Sequence, residues 1–306
     1  MNEKKPRLLY DASWHLPRSG GKRLRPCLAM LSCESVYDDV DLVMPFAVAL
    51  EFVHNFTLVH DDIMDRANLR RNVPTVHMKY GEPTAIMAGD LLFAKAFEAM
   101  HDLAGDLRVF KEVEYNLVKC IEDICEGQQL DMEFEKRKQV SEDEYFDMIH
   151  KKTAVLFSCA AKGSGLIGHG TVEEVKALAD FGMFLGLAFQ IWDDYLDLSS
   201  SETVLGKDIG NDIRNGKKTL IAVHALEHAD KKGKTLLDKI FGNPDASETD
   251  IKQILTVFRE NGSIDYAKQT SMKYCKKAKK VLEVLRDSQA KDILNALADY
   301  SIEREK

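Results

Sequence analysis

Two groups of aspartates stand in this sequence at a spacing that suits metal binding. In the stretch EFVHNFTLVHDDIMDRANLRRN (51–72), His54, Asp61 and Asp65 lie at i, i+7 and i+11, on one face of a helix. Asp62 lies beside that face. Carboxylates at i and i+4 repel each other in a bare helix, so we expect a cation between them. A few hard oxygen ligands on a rigid support suit Mg²⁺ that keeps part of its water and binds substrate phosphates.

The second group repeats this arrangement about 130 residues later. The stretch FGMFLGLAFQIWDDYLDL (181–198) carries Asp193, Asp194 and Asp197 after another apolar helical run, with Gln190 on the same face. A solvated acidic helix end is the simplest interpretation of one such motif. Two copies, each ending a hydrophobic helix, instead indicate two halves of one Mg²⁺ site that grips a diphosphate.

Length, composition and charge exclude several classes of protein. With 306 residues, 45% of them apolar, the chain can bury a large core, and we expect a single domain over 1–306. A net charge of −8 argues against a nucleic-acid surface. An anionic substrate must therefore be met by local clusters of lysine and arginine.

The cysteines and the apolar runs bear on the compartment. None of the six cysteines has CxxC or Cys/His zinc spacing, and most stand in apolar helical sequence, which favours reduced thiols and a cytoplasmic protein. The first ten residues, MNEKKPRLLY, are charged, unlike a signal peptide. The longest apolar run, 181–192, is shorter than the ~20 residues of a membrane span. We expect a soluble protein.

Helical periodicity runs through most of the chain, without the two-residue alternation that would indicate strands. We expect an all-α fold of roughly a dozen helices. Three of them are expected over 27–36, 42–66 and 106–136. Pro45 falls in a first helical turn, Pro83 opens another helix, and Ser141 with Glu144 forms a capping box. The helix that starts there is expected to continue through residue 162.

Three further stretches carry basic residues. SGGKRLRP (19–26) places Lys22, Arg23 and Arg25 before a helix, which suits an anion site, although a charged loop is the alternative. The lysine pair 151–152 lies inside an apolar helix and must reach solvent or an anion. Residues 199–220 form a long stretch rich in glycine and asparagine, and we expect an irregular lid whose lysines reach a phosphate.

Six motifs together carry a resemblance to a known family. They are GGKRLRP (20–26), DDIMDRANLRR (61–71), EGQQLD (126–131), KKT (151–153), FQIWDDYLD (189–197) and GKDIGNDIRNGKKT (206–219). In this order, over about two hundred residues, the set resembles the trans-isoprenyl diphosphate synthases, and among them the archaeal short-chain, geranylgeranyl-type enzymes. The resemblance implies an all-α bundle of ten or more helices around a central cavity (the isoprenoid synthase type), usually a homodimer.

The resemblance also implies a reaction, a Mg²⁺-dependent head-to-tail condensation of isopentenyl diphosphate with dimethylallyl, geranyl or farnesyl diphosphate by ionisation, condensation and elimination. Three Mg²⁺ ions would bind the allylic diphosphate on Asp61, Asp62, Asp65, Asp193 and Asp197. Its leaving charge would be stabilised by Arg70, Lys152, Lys207 and Lys217. Isopentenyl diphosphate would bind Lys22, Arg25, His54 and Arg71. Thr153 and Gln190 would turn oxygen dipoles toward the carbocation.

Product length is implied by the residues four and five places before the first aspartate, Thr57 and Phe56. One aromatic, at the fifth place only, resembles the geranylgeranyl (C20) pattern. Farnesyl (C15) and geranylfarnesyl (C25) diphosphate remain alternatives. On a helical wheel Thr57 lies almost directly below Asp61, whereas Phe56 is ~140° round. The role of Phe56 therefore depends on the resemblance.

Several rival functions use similar helices. A class I terpene cyclase or a head-to-head condensing enzyme also carries aspartate-rich helices, but would not need the separate basic cluster of Lys22, Arg25 and Arg71. A regulatory subunit of a heteromeric prenyl synthase typically loses one aspartate motif, and both are intact here. An unrelated all-α binding protein would leave the two carboxylate clusters without purpose.

Overall fold

Apolar residues three and four positions apart give this chain its long helices, and the computed structural model describes them over residues 5–103, 105–199 and 209–304. The chain divides into two compact units. The first comprises 1–116 and 163–171, and the second comprises 117–162 and 172–306. The expectation of one domain over 1–306 stays a prediction.

The first unit is built from helices and one very short hairpin. Its helices are α1 (Arg7–Arg18), α2 (Leu24–Glu34), α3 (Met44–Met64), α4 (Val76–Tyr80) and α5 (Glu82–Met100). A 3-10 turn, Val40–Val43, leads into α3. After α3 the chain forms the antiparallel pair β1 (Leu69–Arg70) and β2 (Val73–Pro74), with Leu69 opposite Pro74 and Arg70 opposite Val73.

The second unit follows the same helical plan. Three helices come first: α6 (Leu107–Lys136), α7 (Glu142–Ile149) and α8 (Val155–Ile167), of which α6 and α8 contribute residues to both units. The later helices are α9 (Val172–Ser199), α10 (Ile209–Asn215), α11 (Leu220–His228), α12 (Lys231–Ile240), α13 (Glu248–Glu260), α14 (Ser263–Val281) and α15 (Gln289–Glu303). A π-turn, His150–Ala154, joins α7 to α8, and a 3-10 turn, Leu282–Val284, follows α14.

Each aspartate motif ends a helix that is packed into a core. In the first unit α3 packs against α5, burying Leu50 and Val53 of α3 with Leu92 of α5. In the second unit α9 packs against α14, and Leu187 and Ile191 of α9 are buried in the core. Because both helices are held along their apolar faces, their carboxylate ends stand on rigid supports.

Several predictions of local structure are confirmed. The described residues are almost entirely helical, and α3 and α6 lie within the ranges 42–66 and 106–136. Pro45 and Pro83 occupy the first turns of α3 and α5. Ser141 accepts from the backbone N–H of Glu144, whose side chain in turn accepts from the backbone N–H of Ser141.

Two predictions of local structure are wrong. Residues 209–215 form α10, because buried Ile213 anchors a turn of helix and Gly216, at a φ of 71°, ends it. The helix expected from Ser141 through residue 162 is interrupted by the π-turn. Residues 200–208 of the expected lid, including Lys207, lie outside the described residues.

Two helical segments, Val40–Met64 and Val172–Leu198, are long and apolar enough to cross a membrane by length and composition alone. Half or more of the apolar 18-residue window in each segment is buried inside the protein, and each segment ends on an aspartate motif. A core helix of a soluble protein passes the same test, and that is how we interpret both segments.

Candidate active site

The first aspartate motif closes α3 with three carboxylates of very different exposure. The side chain of Asp62 is 1% exposed, that of Asp61 is 20% exposed, and Asp65, the residue that caps the helix, is exposed. The helical wheel explains this order, since Asp61 and Asp65 share a face and Asp62 points 100° away from Asp61, toward the interior. Asp61 and Asp65 are therefore the carboxylates that a cation can reach from solvent.

Arg70 supplies the cation that the repelling carboxylates require. The β1–β2 hairpin turns the chain back, so that Arg70 Nε donates to Asp62 Oδ1 at 2.7 Å and Arg70 Nη2 donates to Asp61 Oδ2 at 3.4 Å. Burial raises the pKa of Asp62, while the positive charge of Arg70 and its hydrogen bond lower it. The metal-binding role of Asp62 stays a prediction, and its burial and ion pair favour a role in holding Arg70.

Arg71 reaches the glycine pair of the GGKRLRP motif. Its guanidinium donates to the carbonyl oxygen of Gly20 and, at 3.3 Å, to that of Leu16. A Cβ added to Gly21 would lie 2.8 Å from Arg71 Cζ. The glycines thus make room for an arginine of the same unit, which places Arg71 beside the basic cluster.

His54 and Arg25, both predicted to bind substrate, meet across α2 and α3. Arg25 Nη1 lies 3.3 Å from His54 Nε2, and because the guanidinium can only donate, this nitrogen accepts and the imidazole is neutral. Burial lowers the pKa of His54 well below 6.5, and the charges of Arg25 and Arg71 lower it further. Lys22 is exposed at the start of the same cluster. The structure therefore brings together three of the predicted substrate-binding residues, Arg25, His54 and Arg71.

Lys152 stands in the π-turn of the second unit, paired with Asp131 of α6. Gly127 allows this, since a Cβ there would lie 2.3 Å from the backbone nitrogen of Lys152. Lys151 points elsewhere, with Nζ 3.2 Å from Glu126 and 3.1 Å from Asp147. Of the two alternatives expected for this lysine pair, solvent or an anion, both side chains contact carboxylates.

Thr153 and Gln190 lie at one end of a buried hydrogen-bond chain. Thr153 Oγ1 donates to Gln190 Oε1 at 2.9 Å, and Gln190 Nε2 donates to Asp194 Oδ1 at 3.1 Å. The hydroxyl of Tyr145 donates to Asp194 Oδ2 at 3.1 Å. Burial raises the pKa of Asp194 to about 7, although the charge of Lys217 and the hydrogen bond from Gln190 oppose it. This chain fixes which way the Gln190 amide points.

The second aspartate motif repeats the exposure pattern of the first. Asp194 is buried, the side chain of Asp193 is 44% exposed, and Asp197 is exposed. Asp193 Oδ1 accepts from Nη2 of Arg304 at 2.6 Å. As in the first motif, the first and fifth carboxylates are accessible and the second is not.

The side chains of Phe56 and Thr57 point in different directions from α3, as the helical wheel requires. Phe56 is buried against α5, with its ring centroid 5.4 Å from that of Phe93, which in turn lies 5.2 Å from that of Phe97. Thr57 Oγ1 donates to the carbonyl oxygen of His54 at 2.9 Å. Phe56 is thus the first of three aromatic rings in edge contact along α3 and α5.

The carboxylates fit a metal ion that shares its ligands with a substrate. Among the described residues no three His, Cys, Asp or Glu side chains cluster closely enough to hold a metal by themselves. Mg²⁺ usually binds one or two carboxylates and completes its octahedron with water and phosphate oxygens. In addition, the buried Oδ2 of Asp62 has no hydrogen-bond donor within the described ranges. The donor set is hard oxygen throughout, as Mg²⁺ requires.

The sequence analysis did not identify several residues that contact the predicted site residues of the two units. In the first unit Glu51 accepts from Arg23, and Asn55 Nδ2 donates to Glu51 Oε1 at 2.7 Å. In the second unit Tyr145, Asp131 and Arg304 hold predicted site residues. Asp131 stands inside a quoted motif and could have been found, and Arg23, which was identified in the basic cluster, leads to Glu51. Nothing in the sequence signals Arg304, which is 111 positions from its partner.

The chain is similar to known proteins both in sequence and in structure. The model of the family described as polyprenyl synthetase matches residues 6–258. Geranylgeranyl diphosphate synthase of Methanosarcina mazei is 46% identical over 302 residues, which are 98% of this chain and 91% of that protein. The crystal structure of geranylgeranyl pyrophosphate synthetase from Pyrococcus horikoshii Ot3 has a TM-score of 0.94 at 46% identity, covering 99% of this chain and 92% of that one.

A relative with a longer product is similar over the same length. Geranylfarnesyl diphosphate synthase of Natronomonas pharaonis is 38% identical over 318 residues, covering 98% of this chain and 91% of that protein. The family condenses isopentenyl diphosphate with allylic diphosphates and depends on a divalent metal. This chain is therefore a prenyltransferase, and it belongs to the polyprenyl synthetase family.

Proposed function

We propose that this protein condenses isopentenyl diphosphate with an allylic diphosphate to geranylgeranyl diphosphate (C20), using three Mg²⁺ ions. The observation that carries the proposal is the matched exposure of the two aspartate motifs. In each, the first and fifth carboxylates are accessible and the second is buried. A regulatory subunit typically loses one of the two motifs, a binding protein would need neither, and a cyclase would not need the basic cluster of Lys22, Arg25 and Arg71.

The carboxylates that would hold the metal are the accessible ones: Asp61, Asp65, Asp193 and Asp197. Bound Mg²⁺ supplies positive charge to the diphosphate that leaves the allylic carbon. Arg70, Lys152 and Lys217 add to this charge through direct contact with phosphate oxygens. Asp62 acts through Arg70, whose guanidinium it holds in place. Lys207 is proposed for the same task on the family resemblance alone.

The second substrate, isopentenyl diphosphate, is assigned to the basic cluster of the first unit. Arg25 and Arg71 offer forked donors that match phosphate oxygens. His54 is neutral, because burial and the neighbouring arginines depress its pKa, so it can donate a hydrogen bond without adding charge. Lys22 is exposed and adds a point charge at the edge of this cluster. Separate cationic groups for a second diphosphate favour condensation over cyclisation.

Two side chains would stabilise the developing allylic cation. Thr153 Oγ1 donates to Gln190 Oε1, and the amide is pinned from its other end by Asp194. The oxygen dipoles of Thr153 and Gln190 are thus fixed before the reaction, which is the condition for electrostatic stabilisation without reorganisation. After the new C–C bond forms, the released diphosphate takes the final proton.

Product length is assigned to the aromatic rings along α3 and α5, which we propose form the floor of a central cavity. Phe56 contacts Phe93 in an edge-to-face arrangement, so removing its ring would leave a space bordered by another aromatic. A C20 product agrees with the names of the Methanosarcina and Pyrococcus proteins. A C25 product is the second candidate, favoured by the similarity to the Natronomonas protein.

We also propose a cytoplasmic homodimer. Helix α5 exposes Ile86, Met87 and Phe93, whereas its opposite face is buried in the first unit. Apolar side chains grouped on one exposed face are typical of an interface between copies. Four of the six cysteines are buried free thiols, which suits a reducing compartment.

The proposal is tested by product length. Wild-type protein incubated with farnesyl diphosphate, isopentenyl diphosphate and Mg²⁺ should release a C20 diphosphate, identified by mass spectrometry. Phe56→Ala should yield longer products, because the ring that limits chain growth is gone, whereas Phe97→Ala, one ring further along, should still yield mainly C20. Unchanged products from Phe56→Ala would show that another residue limits the chain. A wild-type C15 or C25 product would refute the C20 assignment.

A further inference from the structure

Arg304, directly after α15, is locked onto the second aspartate motif by three residues of α9. Its side chain is 4% exposed, and Nη2 donates to Asp193 Oδ1 at 2.6 Å and to the carbonyl oxygen of Phe189 at 3.1 Å. The guanidinium carbon lies 3.6 Å from the centroid of the Phe189 ring. The backbone carbonyl of Arg304 accepts from Trp192 Nε1 at 3.2 Å. Both its side chain and its backbone are therefore fixed.

The charge of this arginine depends on Asp193. A buried guanidinium is costly unless it is paired with a counter-ion. Within the described part of the chain, Asp193 is the carboxylate that forms a salt bridge with Arg304. The Phe189 ring and the Phe189 carbonyl oxygen hold the guanidinium while Asp193 binds it, and Trp192 holds the backbone of Arg304. One oxygen of Asp193 is thus held from the protein side, while 44% of the side chain stays exposed.

We propose that Arg304 is a positioning residue for Asp193, which it orients as a metal ligand through one carboxylate oxygen. The inference rests on the proposed metal role of Asp193. A carboxylate that is already held loses less rotational freedom when it binds a cation, and hydrogen-bonded partners of metal ligands typically contribute 10- to 100-fold in metal affinity. In the second motif the arginine that holds the first carboxylate comes from a distant part of the sequence, whereas in the first motif Arg70 is close by in the sequence.

Electrostatic competition would have the opposite effect, and this difference defines the test. A guanidinium beside a carboxylate competes with a divalent cation for the same negative charge. Positioning predicts that removing Arg304 weakens Mg²⁺ binding, whereas competition predicts that it strengthens Mg²⁺ binding. The sign of the change separates the two.

The experiment compares Arg304→Gln and Arg304→Lys with wild type. Calorimetric binding of inorganic diphosphate at a series of Mg²⁺ concentrations gives the metal dependence without turnover. The Mg²⁺ concentration for half-maximal binding should rise about 10-fold or more in Arg304→Gln. In Arg304→Lys, which keeps the charge but not the forked donors, this Mg²⁺ concentration should rise by less. The lysine variant also keeps the test valid if the glutamine variant does not fold. The rate of condensation should show the same shift in Mg²⁺ dependence.

Lys279→Gln is the matched control. Lys279 Nζ lies 2.7 Å from Asp299, in an ion pair between α14 and α15 that does not touch the aspartate motif. This variant should lower the melting temperature slightly and leave the Mg²⁺ dependence unchanged. An equal shift in Lys279→Gln and Arg304→Gln would reduce Arg304 to a structural role.

Asp193→Asn separates this inference from the proposed function. If Asp193→Asn raises the Mg²⁺ requirement and the folded Arg304 variants do not, or lower it, Arg304 does not position the ligand, while the proposed function stands. If Asp193→Asn itself leaves the Mg²⁺ dependence unchanged, both the metal role of Asp193 and the inference are wrong. A rise in both variants, with Lys279→Gln unchanged, supports the inference.

Discussion

The two aspartate motifs share a spacing but differ in how their carboxylates are held. In the first unit the buried Asp62 forms an ion pair with Arg70, which follows it by eight positions. In the second unit the buried Asp194 is hydrogen-bonded to the neutral groups of Tyr145 and Gln190. The accessible first carboxylate has an arginine partner in both motifs, Arg70 for Asp61 and Arg304 for Asp193.

This difference has a chemical consequence. Under the proposed function, the buried Asp62, which has a full positive charge beside it, holds that charge toward the diphosphate. The buried Asp194, whose partners are neutral, fixes their dipoles, here the amide of Gln190. We therefore propose that the same DDxxD spacing supports phosphate binding in one helix and cation stabilisation in the other, with a shared metal-binding role for the first and fifth carboxylates.

The largest expected effect tests that shared role. Asp61→Asn and Asp193→Asn should each lower kcat/KM by roughly 10³-fold, because a lost metal ligand removes several kcal/mol of transition-state stabilisation and 1.36 kcal/mol is tenfold in rate. Steady-state kinetics at saturating Mg²⁺ measure this, with circular dichroism as the check on folding. A loss tenfold or less in either variant would break the equivalence of the two motifs.

The next largest effect concerns how much the partners of the two buried carboxylates, Asp62 and Asp194, contribute to the stability of the protein. Arg70→Met leaves Asp62 buried without its counter-ion and should cost about 3 kcal/mol of unfolding free energy. Tyr145→Phe removes one neutral hydrogen bond from Asp194 and should cost about 1 kcal/mol. Urea unfolding gives both values. Equal costs would mean that the ion pair and the hydrogen bond hold their carboxylates alike.

The smallest effect concerns pH in the basic cluster of the first unit. The pKa of His54 is lower in the folded protein than in the unfolded chain, because of burial and then the neighbouring arginines. Below pH 6.5 the unfolded state binds a proton that the folded state does not, so this term lowers stability as pH falls. Between pH 7.5 and 5.5 wild type should lose more unfolding free energy than His54→Gln, measured in urea with EDTA present. Parallel losses would show that His54 titrates normally.

Local features of this fold could be predicted from the sequence, while contacts between distant residues could not. The spacing of Asp61 and Asp65, the capping box at Ser141 and the first-turn Pro45 each depend on neighbours within four positions, so the pattern determines them. Arg304 reaches Asp193 only through the packing of α14 and α15 on α9, which no local pattern records.

The errors have equally specific causes. Residues 209–215 were expected to be irregular from their glycines and asparagines, but burial of Ile213 outweighs that composition. The π-turn at His150–Ala154 inserts an extra residue into an otherwise helical pattern, which periodicity over short windows does not resolve. It also lies where Lys152 and Thr153 must face their partners, so the departure from a regular helix coincides with the proposed site.

The central claim, that metal-bound carboxylates of both motifs drive condensation, is tested most directly by incorporation of labelled isopentenyl diphosphate into an extractable prenyl product with farnesyl diphosphate as primer. We expect incorporation with Mg²⁺, its loss when EDTA is added, and its recovery when excess Mg²⁺ is restored. Incorporation that persists in EDTA, or no incorporation by folded protein with Mg²⁺, would contradict the account.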